Sequence, residues 1–163
     1  MAIKVGIMSS SSDTAGVLAP PPILFAIGFG LAMLLHWLHP LAIGPHSIRM
    51  EWAGTILIDI SGLLALWATV YMVKARTRIN PLRPTTALVI AGPYRFSRNP
   101  MSVSLVVLFV GLALRLDTLW PLLLLLPLLI VYHYGVVQRE ERYLERKFGD
   151  TYRNYRSAVR RWI

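Results

Sequence analysis

Apolar residues in this chain gather in long runs, and those runs restrict what it can fold into more than any other feature. Residues 23–43 and 52–73 each supply about 20 mostly apolar positions, the length an α-helix needs to cross a ~30 Å hydrocarbon layer. Pro20-Pro21-Pro22 opens the first run, because proline suits a helix's first turn and ends any earlier helix. Trp52 stands at the entry of the second, as aromatic rings do at membrane boundaries. Apolar character returns over 100–114, breaks at Arg115-Leu116-Asp117-Thr118 and resumes over 119–137. These two runs read as a helical hairpin whose first arm is short for a full crossing. Pro121 and Pro127 in the second arm predict a local kink. The expected fold is an all-α integral membrane protein with about four transmembrane helices, the last two a hairpin. A C-terminal amphipathic helix follows, and residues 20–163 form one domain.

The polar remainder divides into three. Residues 1–19 are Ser-rich with Lys4 as their only cation, and they lack an apolar core followed by a cleavage site. They are expected to form a disordered tail. Residues 74–99 are rich in Pro and Arg and too long for a tight turn, so a structured functional loop is expected. In residues 138–163, Gly149 suits a helix C-cap and Asp150 an N-cap. Phe148, Tyr152, Tyr155, Val159 and Trp162 recur on one side of the expected final helix, with Arg153, Arg156 and Arg160 on the other. That is the pattern of an interfacial helix, a packing and anchoring element. Tyr152 and Tyr155 are within reach of closing over a ligand.

Charge gives orientation. Of 17 Lys and Arg, six lie between Lys74 and Arg98 and eight between Arg139 and Arg161. Four crossings put both segments on one side, the cytoplasm by the positive-inside rule, together with both ends of the chain. The net charge of +9 is explained by the membrane. Arginines and aromatics are not interleaved on a polar face, so no nucleic-acid partner is expected. The absence of cysteine excludes disulfides, thiolate metal sites and a cysteine nucleophile.

Two clusters carry candidate chemistry. In Gly92-Pro93-Tyr94-Arg95-Phe96-Ser97-Arg98-Asn99-Pro100, Asn99 suits an N-cap and Pro100 the first helical position. Free N–H groups and a positive dipole end would then open the third span beside Arg95 and Arg98. Such a site suits a carboxylate or phosphate. Charge and capping alone serve a lipid-headgroup-binding loop equally well. The second cluster is Arg139-Glu140-Glu141, two adjacent carboxylates in a chain with eight acids, which call for a cationic or hydroxyl-rich partner. Pairing with the loop arginines is the plainer reading. On an unbroken helix His133 and Glu140, seven residues apart, share a face, and one pocket would reach from the surface into the bilayer.

Pro84-Thr85-Thr86 with Leu88-Val89, GPYRFSRNPM over Gly92 to Met101, and REERYLERKFGDTYRNYRSAVRRW over Arg139 to Trp162 together resemble the isoprenylcysteine carboxyl methyltransferase and phospholipid methyltransferase superfamily. The resemblance covers about half the chain. It implies a helical membrane enzyme that holds S-adenosylmethionine at the cytosolic face, while a lipid-like acceptor enters from the bilayer. By motif position, Leu88, Val89, Gly92, Pro93, Tyr94, Arg95, Arg98, Asn99 and Pro100 form one wall of the cofactor site, and Glu140 and Glu141 the other. Glu140, Glu141 and His133 are the candidate catalytic groups, needed as a base only if the acceptor is an ammonium. Asn99 replaces the His usual in eukaryotic members, as in bacterial-type members, which implies a bacterial inner membrane. Ser102 replaces a common Tyr, which bears on the acceptor pocket. The resemblance leaves open carboxyl methylation of a prenylated acceptor, N-methylation of phosphatidylethanolamine, or a quinone-like or thiol acceptor. An NADPH-dependent membrane reductase and a non-enzymatic lipid-binding scaffold are the readings of other classes.

Other residues are set aside. Asp59 lies inside the second span, where an ionisable group is costly. It sits toward the outer end, where it would pair with a helix or line an acceptor path. His36, His39 and His46 read as interfacial anchors beside Trp37, with no metal site expected. Gly28, Gly30, Gly62 and Ala65 are expected to permit close helix packing.

Overall fold

The structure is a computed structural model that describes residues 2–3, 14–44, 48–77 and 82–162. Its main elements are α1 (Pro21–Leu38), α2 (Ile48–Lys74), a 3-10 turn (Gly92–Arg95), α3 (Pro100–Arg115), α4 (Trp120–Tyr132), a π-helical turn (His133–Val137), α5 (Gln138–Phe148) and α6 (Asp150–Ala158). Two short strands, β1 (Ala2–Ile3) and β2 (Leu88–Val89), pair antiparallel. Three stretches are long and apolar enough to cross a membrane: α1, α2 and the continuous Trp120–Phe148 rod. α3, with 16 residues, is the short arm of the expected hairpin. The rod's apolar part ends at Val137 and polar α5 extends it. Large apolar side chains are exposed around the bundle, among them Ile27, Leu31 and Leu34 of α1, Ile56, Ile60 and Leu63 of α2, and Leu123, Leu126 and Ile130 of α4. That surface suits lipid.

α1 ends five residues before the first apolar run does. Residues 39–43 leave the helix to close that end of the bundle: the Ile43 N–H donates to the Asp117 carboxylate (3.1 Å) and Trp120 Nε1 to the His39 carbonyl (2.8 Å). The Leu119 N–H also donates to the Leu41 carbonyl (2.9 Å). Pro121 falls in the first turn of α4, where proline demands no kink, whereas Pro127 lies inside the helix.

Of the glycines expected to permit close helix packing, Gly28 does so, but the tightest helix contact lies elsewhere. A Cβ on Gly54 would stand 2.6 Å from the Arg115 backbone N and 2.7 Å from the Gly111 carbonyl, so α2 and α3 touch backbone to backbone there. Gly28 faces the Leu128 side chain, and Gly30 and Gly62 have nothing within 4 Å. Elsewhere the core is aromatic. Phe25 packs edge-on to Phe109 and Tyr132, centroids 5.7 Å apart in both pairs. Val17 and Val136 complete this cluster. The expectation of a disordered tail over 1–19 therefore fails for its last residues. Val17 is buried, and the Leu18 N–H donates to the Gly135 carbonyl (2.9 Å). Residues 4–13 and His46 lie outside the described residues.

α6 is shorter than the periodicity suggested, ending at Ala158 and followed by a non-helical segment through Trp162. Its aromatic side faces the protein body: Phe148, Tyr152 and Tyr155 pack on Leu88, Ile90 and Leu144. Gly149, with φ +53°, is the C-cap of α5 and also the N-cap of α6. Asp150 is thus the first helical residue and pairs with Arg153 one turn on.

Candidate functional site

The loop between α2 and α3, the start of α5 and helix α6 meet at the basic end of the bundle and enclose a cavity of about 70 Å³. Met72, Thr77, Thr85, Ala87, Leu88 and Val89 form its apolar and hydroxyl side. Tyr94, Arg98, Asn99, Glu140, Glu141, Leu144, Tyr152 and Tyr155 form the rest. The loop is held by defined hydrogen bonds. Thr77 Oγ1 accepts from the Thr86 and Ala87 N–H groups, and the Tyr143 hydroxyl accepts from the Thr85 N–H (3.1 Å). Tyr155 donates its hydroxyl to the Tyr94 carbonyl (2.7 Å), which fixes α6 over the 3-10 turn.

The two glutamates play different parts. Glu141 is buried between Arg98, whose Nη1 lies 2.8 Å from Oε1, and Arg161, whose Nε and Nη2 donate to Oε1 and Oε2 at 3.0 and 2.8 Å. Arg98 also donates to the Tyr152 hydroxyl (3.3 Å). The proposed role of Glu141 as a free partner for a ligand is therefore largely taken by arginines, the plainer of the two readings of the sequence. Glu140 makes no hydrogen bond or ion pair among the described residues. Burial, followed by the adjacent Glu141 charge, pushes its carboxyl up to about 7 from the usual 4.5. Tyr94 and Arg98 also line the cavity; the Tyr94 hydroxyl has no hydrogen bond among the described residues, and Arg98 Nε is buried without a partner. Burial, then the Glu140 charge, raises the Tyr94 phenol, and burial, then Glu141, pushes Tyr152 up to about 12. Both stay protonated at neutral pH.

The start of α3 differs from the expected anion cradle. Asn99 occupies the N-cap position, but its side chain does not cap the helix; Nδ2 donates to the Arg161 carbonyl (3.3 Å). Both the Ser102 and Val103 N–H groups turn back to the Asn99 carbonyl, and the Arg98 N–H donates to the Arg160 carbonyl. Most donors of that helix start are thus satisfied within the protein. Residues 160–162 lie across it as a strap. Arg161 clamps Glu141 in the cavity wall, while the next residue, Trp162, packs at a tilt against Tyr132 and borders a second space.

That second space is an apolar groove of about 530 Å³ between α3 and α4. Val103, Val106, Val107, Leu129, Ile130, His133, Tyr134 and Trp162 line it. His133 thus lies in the groove wall, and Gln138 Nε2 donates to its Nε2 (3.1 Å). It does not share a pocket with Glu140 as an unbroken α-helix would require. The π-helical turn at His133–Val137 inserts one residue per turn and swings the two side chains apart by roughly 100°.

Of the other expected wall residues, Gly92 (φ +63°) serves the turn itself, since a Cβ there would meet the Tyr71 ring at 2.7 Å. Pro93 and Pro100 are buried in packing and do not line the cavity, and Arg95 faces a separate surface hollow with Asn154 and Val159. Asp59 lines neither the cavity nor the groove and has no pairing among the described residues; it lies on the exposed face of α2. His36 and His39 join no metal-like cluster among the described residues. Met72, Thr77, Ala87 and Leu144 line the cavity without any signal in the sequence that marked them.

Residues 50–151 match the model of the family described as phospholipid methyltransferase. That match spans α2 to the first residues of α6. A 35-residue stretch, 22% of this chain, is also 51% identical to an uncharacterized protein of Haemophilus influenzae. The chain spans 56% of that protein's length.

Proposed function

The chain belongs to the phospholipid methyltransferase family, and we propose that it is a membrane methyltransferase that transfers a methyl group from S-adenosylmethionine to a lipid-like acceptor at the cytoplasmic face. The observation that carries this reading is that both sequence blocks line one cavity whose wall includes the Glu140 carboxyl, the Tyr94 phenol and the Arg98 guanidinium. These complement an ammonium or sulfonium, ribose hydroxyls and a carboxylate respectively. Leu88, Val89, Leu144 and Met72 supply apolar surface for an aromatic base. A cavity of about 70 Å³ holds a few waters. Admission of a nucleoside therefore requires a wall of the cavity to move.

When bound, S-adenosylmethionine supplies an activated methyl group ready for in-line displacement. The protein's share is positioning and charge. Glu140 holds the cationic end, Arg98 Nε and Tyr94 hold polar groups, and buried Leu88 and Val89 keep out water. The α3–α4 groove takes the acceptor's apolar chain. A carboxylate acceptor needs no base, and preference goes to a prenylated carboxylate; an ammonium acceptor would deliver its proton to His133 in the groove wall. Isothermal titration of the purified protein with S-adenosylmethionine and S-adenosylhomocysteine tests the cofactor. Binding of both is expected, with no protection against thermal unfolding by NADPH. The reverse pattern would replace the methyl donor with a nicotinamide, and neither binding would leave a lipid-binding scaffold.

Glu140 makes this pH-dependent. Its charged form predominates only above about 7, so affinity for S-adenosylmethionine should rise between pH 6 and 8 and be flat in Glu140→Gln. The sign for stability is opposite. A carboxyl raised from 4.5 to about 7 holds its proton more tightly in the folded protein, so that stability present below pH 4.5 is lost as pH rises through 7. Melting curves across this range check it: the decline should be absent in Glu140→Gln.

A further inference from the structure

The side of the α4–α5 rod facing away from the cavity has the form of an amphiphile's complement. Leu126, Ile130 and Tyr134 recur every fourth residue and are all more than half exposed. The same spacing continues through Gln138, Arg142 and Arg146 beyond the last apolar turn. Tyr134, Gln138, Arg139, Arg142 and Arg146 line a polar cleft of about 470 Å³, closed on one side by Ala15 and Gly16 of the N-terminal segment. Arg139 Nη1 donates to the Gly16 carbonyl (2.9 Å) and Arg142 Nη2 to Gln138 Oε1 (3.1 Å), so two guanidiniums are held with donors to spare. No carboxylate pairs with any of the three arginines among the described residues. The neighbouring acids are turned elsewhere: Glu140 and Glu141 line the cavity around the helix, and Glu145 pairs with Arg156 (3.2 Å).

We propose that this cleft is a binding site for the phosphate headgroup of an anionic phospholipid, whose chains lie along Tyr134, Ile130 and Leu126. Three unpaired arginines at the level where the rod leaves the hydrocarbon match a phosphodiester charge, and the apolar ridge beneath matches acyl chains. A soluble phosphate would use only the upper half. Neutral lipid would use only the lower. The headgroup cleft is separate from the methyl-transfer cavity, since none of its arginines lines that cavity, while the acyl path shares Ile130 and Tyr134 with the α3–α4 groove. Through Tyr134, which borders both the cleft and the α3–α4 groove, an occupant would also narrow or prop that groove.

The test is native mass spectrometry of the full chain in detergent, mixed with phosphatidylglycerol or phosphatidylcholine of matched chains. Retention of phosphatidylglycerol over phosphatidylcholine is expected, falling roughly tenfold or more in Arg139→Gln/Arg142→Gln/Arg146→Gln. Arg153→Gln, which breaks only the exposed pair with Asp150, should leave retention unchanged. Should the triple variant not fold, Arg142→Gln and Arg146→Gln, each at an exposed position, are read singly. Glycerol phosphate added at the lipid's concentration should not displace it. Equal retention of the two lipids, equal retention by the variants, or displacement by glycerol phosphate would each overturn the proposal.

Discussion

Replacing Glu141 by Ala is expected to unfold this protein at a temperature about 10 °C lower, while replacing its neighbour Glu140 by Ala does not lower the melting temperature and removes cofactor binding. The contrast follows from what each carboxylate touches. Glu141 is 10% exposed and neutralises Arg98, which is 9% exposed, while accepting two hydrogen bonds from Arg161. Removing one member of a buried ionic cluster leaves charge stranded in a low-dielectric site, which costs roughly 3–5 kcal/mol. For a domain of this size each kcal/mol moves the midpoint by about 2–4 °C. The loss propagates further, because Arg161 would release the strap whose carbonyls hold Arg98 and Asn99. Glu140 has no such partners, and its raised carboxyl means that the fold gains nothing from its charge. Melting curves in detergent, beside titration with S-adenosylhomocysteine, separate the two roles. If Glu141→Ala melts like the parent, the clamp holds nothing; if Glu140→Ala binds like the parent, its assignment to the cofactor is lost.

That division of labour was only half legible in the sequence. Gly92 to Pro100 and Glu140-Glu141 were expected to form the two sides of one site; Leu88, Val89, Tyr94, Arg98, Asn99, Glu140 and Glu141 line one cavity, whereas Gly92, Pro93, Arg95 and Pro100 do not. The sequence did not show which of the charged groups were already spent on one another. Arg161 reaches Glu141 across 20 residues, and Asn99 reaches the Arg161 carbonyl across 62. Pairings of that kind depend on how α6 folds back, which no local pattern encodes. His133 illustrates a second limit. Helical spacing placed it beside Glu140, and the inserted π-helical residue, which hydropathy cannot register, turned it toward the groove. The spans themselves were legible because hydrocarbon demands about 20 apolar residues per crossing. Their ends were less so: residues 39–43 are apolar enough to continue α1 but are used to tie its end to Asp117 and Trp120.

The consequences are largest where α2 crosses α3. Gly54→Leu is expected to prevent this bundle from assembling, and Gly54→Ala to cost about 1–3 kcal/mol, the usual penalty for overfilling a packed site. The three atoms nearest to a Cβ at Gly54 are all backbone: the Arg115 N at 2.6 Å, the Gly111 carbonyl at 2.7 Å and the Arg115 Cα at 2.9 Å. No side-chain rotation relieves such contacts, so the helices must separate. Between lipid-bathed helices there is little hydrophobic gain to offset that, since close packing of small residues is itself what holds them together. Separation would also loosen the Ser61 hydroxyl's hydrogen bond to the Ser104 carbonyl (2.8 Å), two turns nearer the cavity. Gly30→Leu and Gly62→Leu are the controls, for nothing lies within 4 Å of either Cβ position. Both point outward, and each should change the melting temperature by no more than a degree or two. Yields and melting curves of the four variants decide the matter. A Gly54→Leu protein as stable as Gly62→Leu would mean that α2 and α3 are not in backbone contact, and the crossing that sets the spacing of α3 from α2 would have to be redrawn.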